Sequence, residues 1–379
     1  MLSLLRSTSV DDVLVALEAW PFPILNFVFA DDAGRIGYHA TGHIPQRPVA
    51  RRGFRDPGNR EDDWIGNYAF DDLPQLVDPD RDWVASANNP PWGGDNPYLH
   101  LGAWSDGYRF RRIRQRIEAR SGHSIDSVGA IQADTILGRA EDLAPIVADI
   151  ASRGPNKAIR DFGTILSEWN GAYDVDEIAP TVFTAFWNAW LSRVAGAQFP
   201  DDLVSLVKDR CSGPACRLLA GESFGWFGQG VQLEKEVIAA LRETERWIHE
   251  RIGSRKSRWR WGRLHTVTFG HPCATSPELE KLLNVGPAET SGVTGTVRAA
   301  GHSLAEPFKV TGLSTYRMVV DLANPAKAKA TAAGGQSGHP ASPHYKTQSE
   351  LWLNDDYHPL LMDRKDIERN LDGRLTLTP

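Results

Sequence analysis

The spacing of the apolar residues changes twice along this chain, and that change limits the folds open to it more than any other feature. From Asn26 the sequence reads NFVFADDAGRIGYHATGHIPQRP. Phe27 and Phe29 alternate with Val28, an acidic turn Asp31-Asp32-Ala33-Gly34 follows, and Ile36 and Tyr38 alternate with Gly37 and His39. Two-residue alternation around an Asp/Gly cluster predicts a β-hairpin. Ahead of it Val10, Val13, Leu14 and Leu17 fall at helical spacing, with Ser9 placed to cap before Asp11 and Asp12. Arg47 to Asp63 is polar and rich in Gly and Pro, the composition of a loop. Trp83 to Ala87 reads as a short strand that Pro90 stops, and YRFRRIRQRIEAR then opens a helix with Phe110, Ile113 and Ile117 on one side.

Residues 124–252 take up helical spacing in three blocks. Ser124 caps the first, which is expected to run on through Ile131 and Leu137; the second spans Ala179 to Val194 and the third Leu233 to Ile252. Strand-like runs then return in RLHTVTF, TGTVRAAG and YRMVVDL, followed by the low-complexity AKAKATAAGGQSGHPASPHY. This order predicts an α+β chain in which residues before 90 and after 260 share one sheet system, with the helical middle packed on it. The boundaries implied are 1–123, 124–258 and 259–379.

Composition narrows the function classes. At 379 residues, 41% hydrophobic and 24% charged, the chain has ample material for a core. A net charge of −6 argues against nucleic acid as the main partner. No apolar run approaches the roughly 18 to 20 residues of a membrane span, and no charged n-region leads into an apolar h-region as a signal peptide requires. Three cysteines, Cys211, Cys216 and Cys273, are too few for a disulfide framework, although Cys211 and Cys216 are close enough to close a small loop in an oxidising compartment. The 13 tryptophans are more unusual and imply a substantial aromatic interior.

Few residues suggest chemistry. ASANNPPW places Asn88 and Asn89 where a strand ends, so either side-chain amide can be held clear of the backbone as an oxyanion donor or can simply form a turn. Arg109, Arg111, Arg112, Arg114, Arg116 and Arg120 recur too densely to share one helix face, and a solvated face accounts for most of them better than a phosphate-binding stripe. Arg109 differs, because a cation in a first helical turn opposes the dipole and wants a compensating reason. In RKSRWRWGR, tryptophans entering a core strand explain Trp259 and Trp261 better than base stacking. His39 with His43, and His339 with His344, lie among Gly, Thr and Pro rather than on a helix, which argues against zinc. No nucleophile elbow, phosphate loop or dinucleotide fingerprint is present.

Taken together and in order, these segments resemble the penicillin acylase family of N-terminal-nucleophile hydrolases. NFVFADDAGRIGYHATGHIPQR is similar to the hairpin of that family's β-chain, and ASANNPPW followed by YLHLGAWSDGYRFRRI to its Asn-Asn segment and Gly-Tyr-Arg helix start. IQADTILGRAEDLAP, WNG at Trp169, WGRLHTVTFGHP at Trp261 and GGQSGHPASPHYKTQSELWLNDDYHPL from Gly334 match further blocks. The resemblance implies an αββα sandwich, incomplete here, with a large helical insertion. It implies hydrolysis of a small-molecule N-acyl amide by a serine that self-cleavage leaves at the head of the β-chain, its own α-amine acting as base. Carried over by position, Asn88 would donate to the tetrahedral oxyanion and Arg109 would lie beside the serine's amine, while Asn89 and Asn26 would hold backbone.

In the family the serine lies upstream of the hairpin, so the resemblance implies that these residues begin inside the β-chain. Ser3 is no substitute, since removal of Met1 is disfavoured before Leu2. The implied partners are the missing α-chain and the N-terminal β segment, with no nucleic acid and no membrane. The implied location is periplasmic or secreted. No cofactor is expected in this chain; calcium is implied for the full-length protein, with Asp95 a poor ligand candidate. The main reading is a partial amidase; the alternatives are a non-catalytic subunit that complements a partner carrying the nucleophile and, against the charge balance, a basic-helix module for nucleic acid that a salt-dependent shift assay should exclude. Exposed sheet edges and apolar faces are expected to make the chain poorly soluble when expressed alone.

Overall fold

The hairpin forms where the alternation places it, in a computed structural model that describes residues 1–46, 58, 60, 63–91, 104–222, 224–228, 232–303 and 308–378. The loop expected from Arg47 to Asp63 therefore lies mostly outside the described residues. Two compact units make up the chain, Met1–Gln115 and Arg116–Pro379.

In the first unit, helix α1 (Val10–Glu18) begins at Ser9, whose side-chain oxygen accepts from the Asp12 amide at 3.1 Å. Val10 and Leu17 are its buried residues, the inward stripe that the spacing predicts. Strands β1 (Leu25–Ala30) and β2 (Ile36–Thr41) pair antiparallel, with Leu25 opposite Thr41 and Ala30 opposite Ile36. Asp31 organises the turn: one carboxylate oxygen accepts from the Arg35 amide at 3.0 Å and the other from the Val10 amide at 3.1 Å. Those backbone hydrogen bonds hold its carboxyl below the usual range and tie the helix start to the hairpin. Gly34 takes φ +87° there, a conformation glycine adopts without steric cost. Strands β3 (Pro45–Gln46) and β4 (Gly66–Asn67) form a separate pair, and β5 (Gln75–Val77) joins the other side of β2. Central β2 is therefore buried along most of its length, whereas edge strand β1 leaves Leu25 and Val28 exposed.

Trp83 to Ala87 does not form the expected strand. Asp78 and Asp82 take positive φ and redirect the chain after β5. The polar groups a strand would give to a ladder are taken by side chains: Asn89 Oδ1 accepts from the Ala87 amide and Arg109 donates to the Ala87 carbonyl. Helix α2 (Tyr108–Glu118) follows and carries the boundary between the units.

The second unit is built on helices α3 (Ile125–Gln132), α4 (Gly138–Ser152), α5 (Lys157–Ser167), α6 (Ala179–Gly196), α7 (Asp201–Val207), α8 (Ser212–Leu219) and α9 (Leu233–Arg251). Ser124 caps α3 through a reciprocal pair of bonds with Ser127. The first block does not run on to Leu137, because Asp134 intervenes. Its carboxylate accepts from the Ile136 amide, its carbonyl from the Arg298 amide, and its second oxygen lies 3.4 Å from Arg116. Leu137 instead becomes the residue before α4. Helix α5 was not among the three blocks, yet Asn156 caps it and Ile159, Phe162, Gly163 and Leu166 bury one stripe. A Cβ on Gly163 would stand 2.9 Å from the Ser152 amide, so only glycine allows this close approach of α5 to α4. Helix α6 is apolar nearly all round and sits at the centre of the core, with Phe186 and Trp190 fully buried. The Trp190 indole N–H donates to the Ala215 carbonyl at 3.1 Å, satisfying its polar atom.

Trp259 and Trp261 are buried as expected, but they enter the core at a helical turn rather than a strand, Trp261 opening α10 (Trp261–Leu264). Beyond it β6 (Thr266–Phe269) pairs with β7 (Val285–Glu289), and β8 (Ala300–His302) with β9 (Val310–Leu313). Strands β10 (Tyr316–Val319), β11 (Lys329–Ala332) and β12 (His358–Pro359) form the last sheet. Of TGTVRAAG only the end is strand, because the Thr296 hydroxyl accepts from the Val293 amide and donates to the Arg298 carbonyl, holding the segment in a turn. Lys329–Ala332, inside the low-complexity run, is a strand. The expectation of one shared sheet is not met among the described residues: the ladders form five separate sheets of two or three strands, each inside one unit. The chain is α+β, and its helical middle belongs to the same unit as the C-terminal strands.

Candidate active site

Asn88 and Arg109, singled out separately in the sequence, are joined in the structure. Arg109 Nη2 donates to Asn88 Oδ1 at 2.8 Å and to the Ala87 carbonyl at 3.0 Å, and stands 3.5 Å from the Ser105 hydroxyl. The Ser105 amide donates to the Asn88 carbonyl at 2.8 Å, so main chain and side chain of Asn88 are both held from the start of α2. Asn88 takes φ +62°, a left-handed conformation that Asn tolerates better than most residues, at a cost of about 1 kcal/mol. Its side chain is exposed, and among the described residues nothing accepts from its Nδ2. A planar amide fixed through its oxygen presents its N–H donors in a set direction.

Arg109 is half-buried, and burial pushes its guanidinium below the ordinary value, with Asp106 opposing. Arginine keeps its charge under such shifts. Among the described residues no carboxylate lies within ion-pair distance of it, so its positive potential is directed at a neutral amide and two oxygens. This answers why a cation sits in the first turn of α2: it is a clamp on the 87–88 backbone and the Asn88 amide.

Asn89 holds backbone as the resemblance implies, accepting from the Ala87 amide at 3.1 Å and donating to the Pro90 carbonyl at 2.9 Å. Asn26 does not; its side-chain oxygen accepts from the Tyr38 hydroxyl. A cleft of about 370 Å³ lies beside this segment, lined among others by Tyr38, Arg81, Asn89, Pro90 and Phe110. It borders Asn89 rather than Asn88. Ser105 and Arg81 were missed in the sequence. Ser105 is marked only by standing one turn before Arg109. Arg81 donates to the Trp83 carbonyl at 3.0 Å and packs 4.4 Å from the Trp83 ring, contacts that no local pattern announces.

The other candidates fall elsewhere. His39 is buried and stacked 3.9 Å from Phe70, and burial lowers its pKa; His43 is exposed. The His339 and His344 backbones and the His339 ring bond within their own loop. Among the described residues there is no group of three or more His, Cys, Asp or Glu that could hold a metal, and Asp95 lies outside them. Among the described residues no disulfide joins Cys211, Cys216 or Cys273. The arginines of α2 are not a solvated stripe throughout: Arg111 packs 5.0 Å from the Tyr108 ring and Arg116 faces buried Asp134. Arg260, in the other basic run, pairs with Asp176 and Glu289. Among the described residues no helix is long and apolar enough to cross a membrane.

Comparison with known proteins places these residues in a wider frame. The chain is 26% identical over 365 residues to penicillin acylase 2 proenzyme of Pseudomonas sp. (strain SE83), covering 94% of this chain and 46% of that protein. It is 25% identical to the acyl-homoserine lactone acylase QuiP of Pseudomonas aeruginosa, again covering 94% and 46%. It is 22% identical to penicillin G acylase of Escherichia coli, covering 93% and 45%. The chain thus spans about half the length of the curated relatives it matches. The fold resembles the crystal structure of a thermostable penicillin G acylase from Alcaligenes faecalis, with a TM-score of 0.68 at 17% identity, over 100% of this chain and 71% of that one. A model of the penicillin amidase family matches residues 1–369, and the chain belongs to that family.

Proposed function

We propose that this chain is the part of an N-acyl amide hydrolase that supplies the oxyanion donor, Asn88, and its clamp, Arg109, to a serine nucleophile carried on a segment outside these residues. The observation that carries this reading is that Asn88 is exposed and its Nδ2 has no partner among the described residues, while Arg109 occupies the oxygen of the same amide. In the reaction, the serine oxygen attacks the amide carbonyl carbon while its proton passes to the serine's own α-amine. The carbonyl oxygen becomes an oxyanion that accepts from Asn88 Nδ2. The α-ammonium then gives its proton to the departing nitrogen, the C–N bond breaks and an acyl ester remains. Water, giving a proton to the same amine, attacks the ester carbon; the bond to the serine oxygen breaks, the ammonium returns its proton to that oxygen and the carboxylic acid leaves.

Arg109 acts through others in this scheme. It fixes the Asn88 amide, and its charge holds a nearby amine below its usual pKa, as a base at neutral pH requires. Losing an oxyanion donor of this kind costs about 10²–10³ in kcat.

The finer organisation is part of the same proposal: an αββα sandwich formed by residues 1–123 and 259–379 with strands from an α-chain and an N-terminal β segment, and an insertion at 124–258. Edge strand β1, with exposed Leu25, Val28 and nearby Phe22, is the face such strands would cover. Calcium in the full-length protein and a periplasmic or secreted setting belong to the same proposal. The substrates to try are those the relatives are named for, a penicillin and an N-acyl-homoserine lactone.

The test is to express these residues with and without the reading frame that precedes them. Mass spectrometry should find a new N-terminal serine only in the longer product, and only that product should release a carboxylic acid and an amine. Hydrolysis by a longer product that lacks a processed serine would contradict the mechanism. Activity appearing only when a separate polypeptide is added would establish the complementing-subunit reading instead.

A further inference from the structure

Inside the unit Arg116–Pro379 a second cavity, of about 230 Å³, is lined by Arg139, Tyr173, Phe183, Trp187, Ser212 and His302, among others. Its chemistry is divided. Phe183 and Trp187 stack one turn apart on α6, and Tyr173 also lines the cavity, so three aromatic side chains face it. The polar end is basic. Arg139 Nη1 donates to the Ser212 hydroxyl at 2.9 Å, its guanidinium lies 4.5 Å from the Trp187 ring, and its Nε is buried with no partner. No carboxylate pairs with Arg139 among the described residues; Asp209 borders the cavity but is exposed to solvent.

Two further observations point the same way. Arg139 lies in the first turn of α4, which has no side-chain cap and whose preceding residue Leu137 also lines the cavity, so the positive end of that dipole adds to the guanidinium's charge. His302 also has a buried ring nitrogen, Nδ1, without a partner. Burial, with the neighbouring His265, lowers its pKa to about 4, so it is neutral at pH 7 and keeps one N–H to donate. A guanidinium against an aromatic face, with its Nε unfilled and no paired carboxylate among the described residues, is a site for an anion. The wall asks that the anion carry an apolar body, and the volume limits it to a single ring or short chain.

We propose that this cavity binds a small carboxylate with an apolar, benzoate-sized tail, the carboxylate on Arg139 and Ser212 and the tail against Tyr173, Phe183 and Trp187. The inference does not rest on the amidase reading, since it uses neither Asn88 nor the absent serine.

Calorimetric titration of the full chain with benzoate and with its neutral analogue benzamide tests it. Benzoate should bind saturably and at least about tenfold more tightly than benzamide, and Arg139→Met should remove that preference while Arg139→Lys keeps part of it. Equal affinity for the two probes, or an unchanged preference in a folded Arg139→Met, would overturn the proposal. Should the Met variant fail to fold, the preference on the unaltered chain decides alone. Inorganic phosphate at equal concentration should not displace benzoate; displacement would show an anion site without a use for the apolar wall and would overturn the assignment of the tail.

Discussion

Arginine is used in two opposite ways in this molecule. In the second unit Arg298 and Arg317 are almost wholly buried, at 1% and 4% exposure, and both donate to Asp355. Trp352 packs against both, its ring 5.0 Å and 4.7 Å from the two guanidinia; carbonyls at Ser291 and Leu353 accept from Arg298 and the Trp352 carbonyl from Arg317, whose Nε and Nη2 are buried without a partner. In the first unit Arg109 is only half-buried and clamps a neutral amide on a backbone at positive φ, with no carboxylate among the described residues to neutralise it. One arrangement ties its charges to the fold. The other leaves a charge acting on whatever is brought beside it, at the expense of a strained residue, and such strain gathers at functional sites.

The largest expected effect breaks the first arrangement. Asp355→Asn leaves two buried guanidinia without their carboxylate and should lower the unfolding free energy by about 3–5 kcal/mol, measured by urea denaturation. A loss under about 1 kcal/mol would mean that the surrounding carbonyls suffice.

Next comes pH. His265 is buried and His302 partly so, their rings 5.7 Å apart, and desolvation lowers both to about 4 from an ordinary 6.5. The unfolded chain therefore takes up protons before the folded one does. Stability from these rings is full above pH 6.5 and is lost as the pH falls toward 4, by roughly 1.4 kcal/mol per pH unit for each ring. The denaturation midpoint should decline over that window, and His302→Asn should flatten the decline.

Arg109→Met sharpens the comparison from the other side. Stability should change by less than in Asp355→Asn, whereas in the processed enzyme kcat should fall about tenfold to a hundredfold with KM little altered. In the proposed mechanism Arg109 lowers the serine's amine, and on that reading its loss should also move the acid limb of kcat/KM to higher pH, a shift that a purely structural arginine would not produce. The smallest effect is expected at the hairpin, where Gly34→Ala meets open space but keeps φ +87° and should cost about 1 kcal/mol.

Much of this was legible in the sequence wherever the determining interactions are local. The cap at Ser9, the alternation of β1 and β2, the capping of α3 and the apolar length of α6 are short-range patterns, and each appears in place. Where distant partners decide, the pattern misled. Trp83 to Ala87 has strand composition but gives its polar groups to Asn89 and Arg109. Asp134 ends a helix because Arg298, far along the chain, donates to its carbonyl. Asn88 and Arg109 were identifiable through the family's motifs, but the hydrogen bond joining them was not, since spacing carries no information about which oxygen a guanidinium reaches. The basic end of the second cavity gave no signal for the same reason: Arg139 and Ser212 meet only after α4 and α8 have packed.

The most direct test of the central claim is the kinetics of Asn88→Gly in the processed enzyme. Glycine accepts φ +62° without strain and removes only the amide, so the fold should be kept or slightly stabilised. Loss of the oxyanion donor predicts a fall in kcat of about 10²–10³ with KM nearly constant. A variant that is folded and retains kcat within about threefold would contradict the claim that Arg109 holds Asn88 outward to receive a developing negative charge.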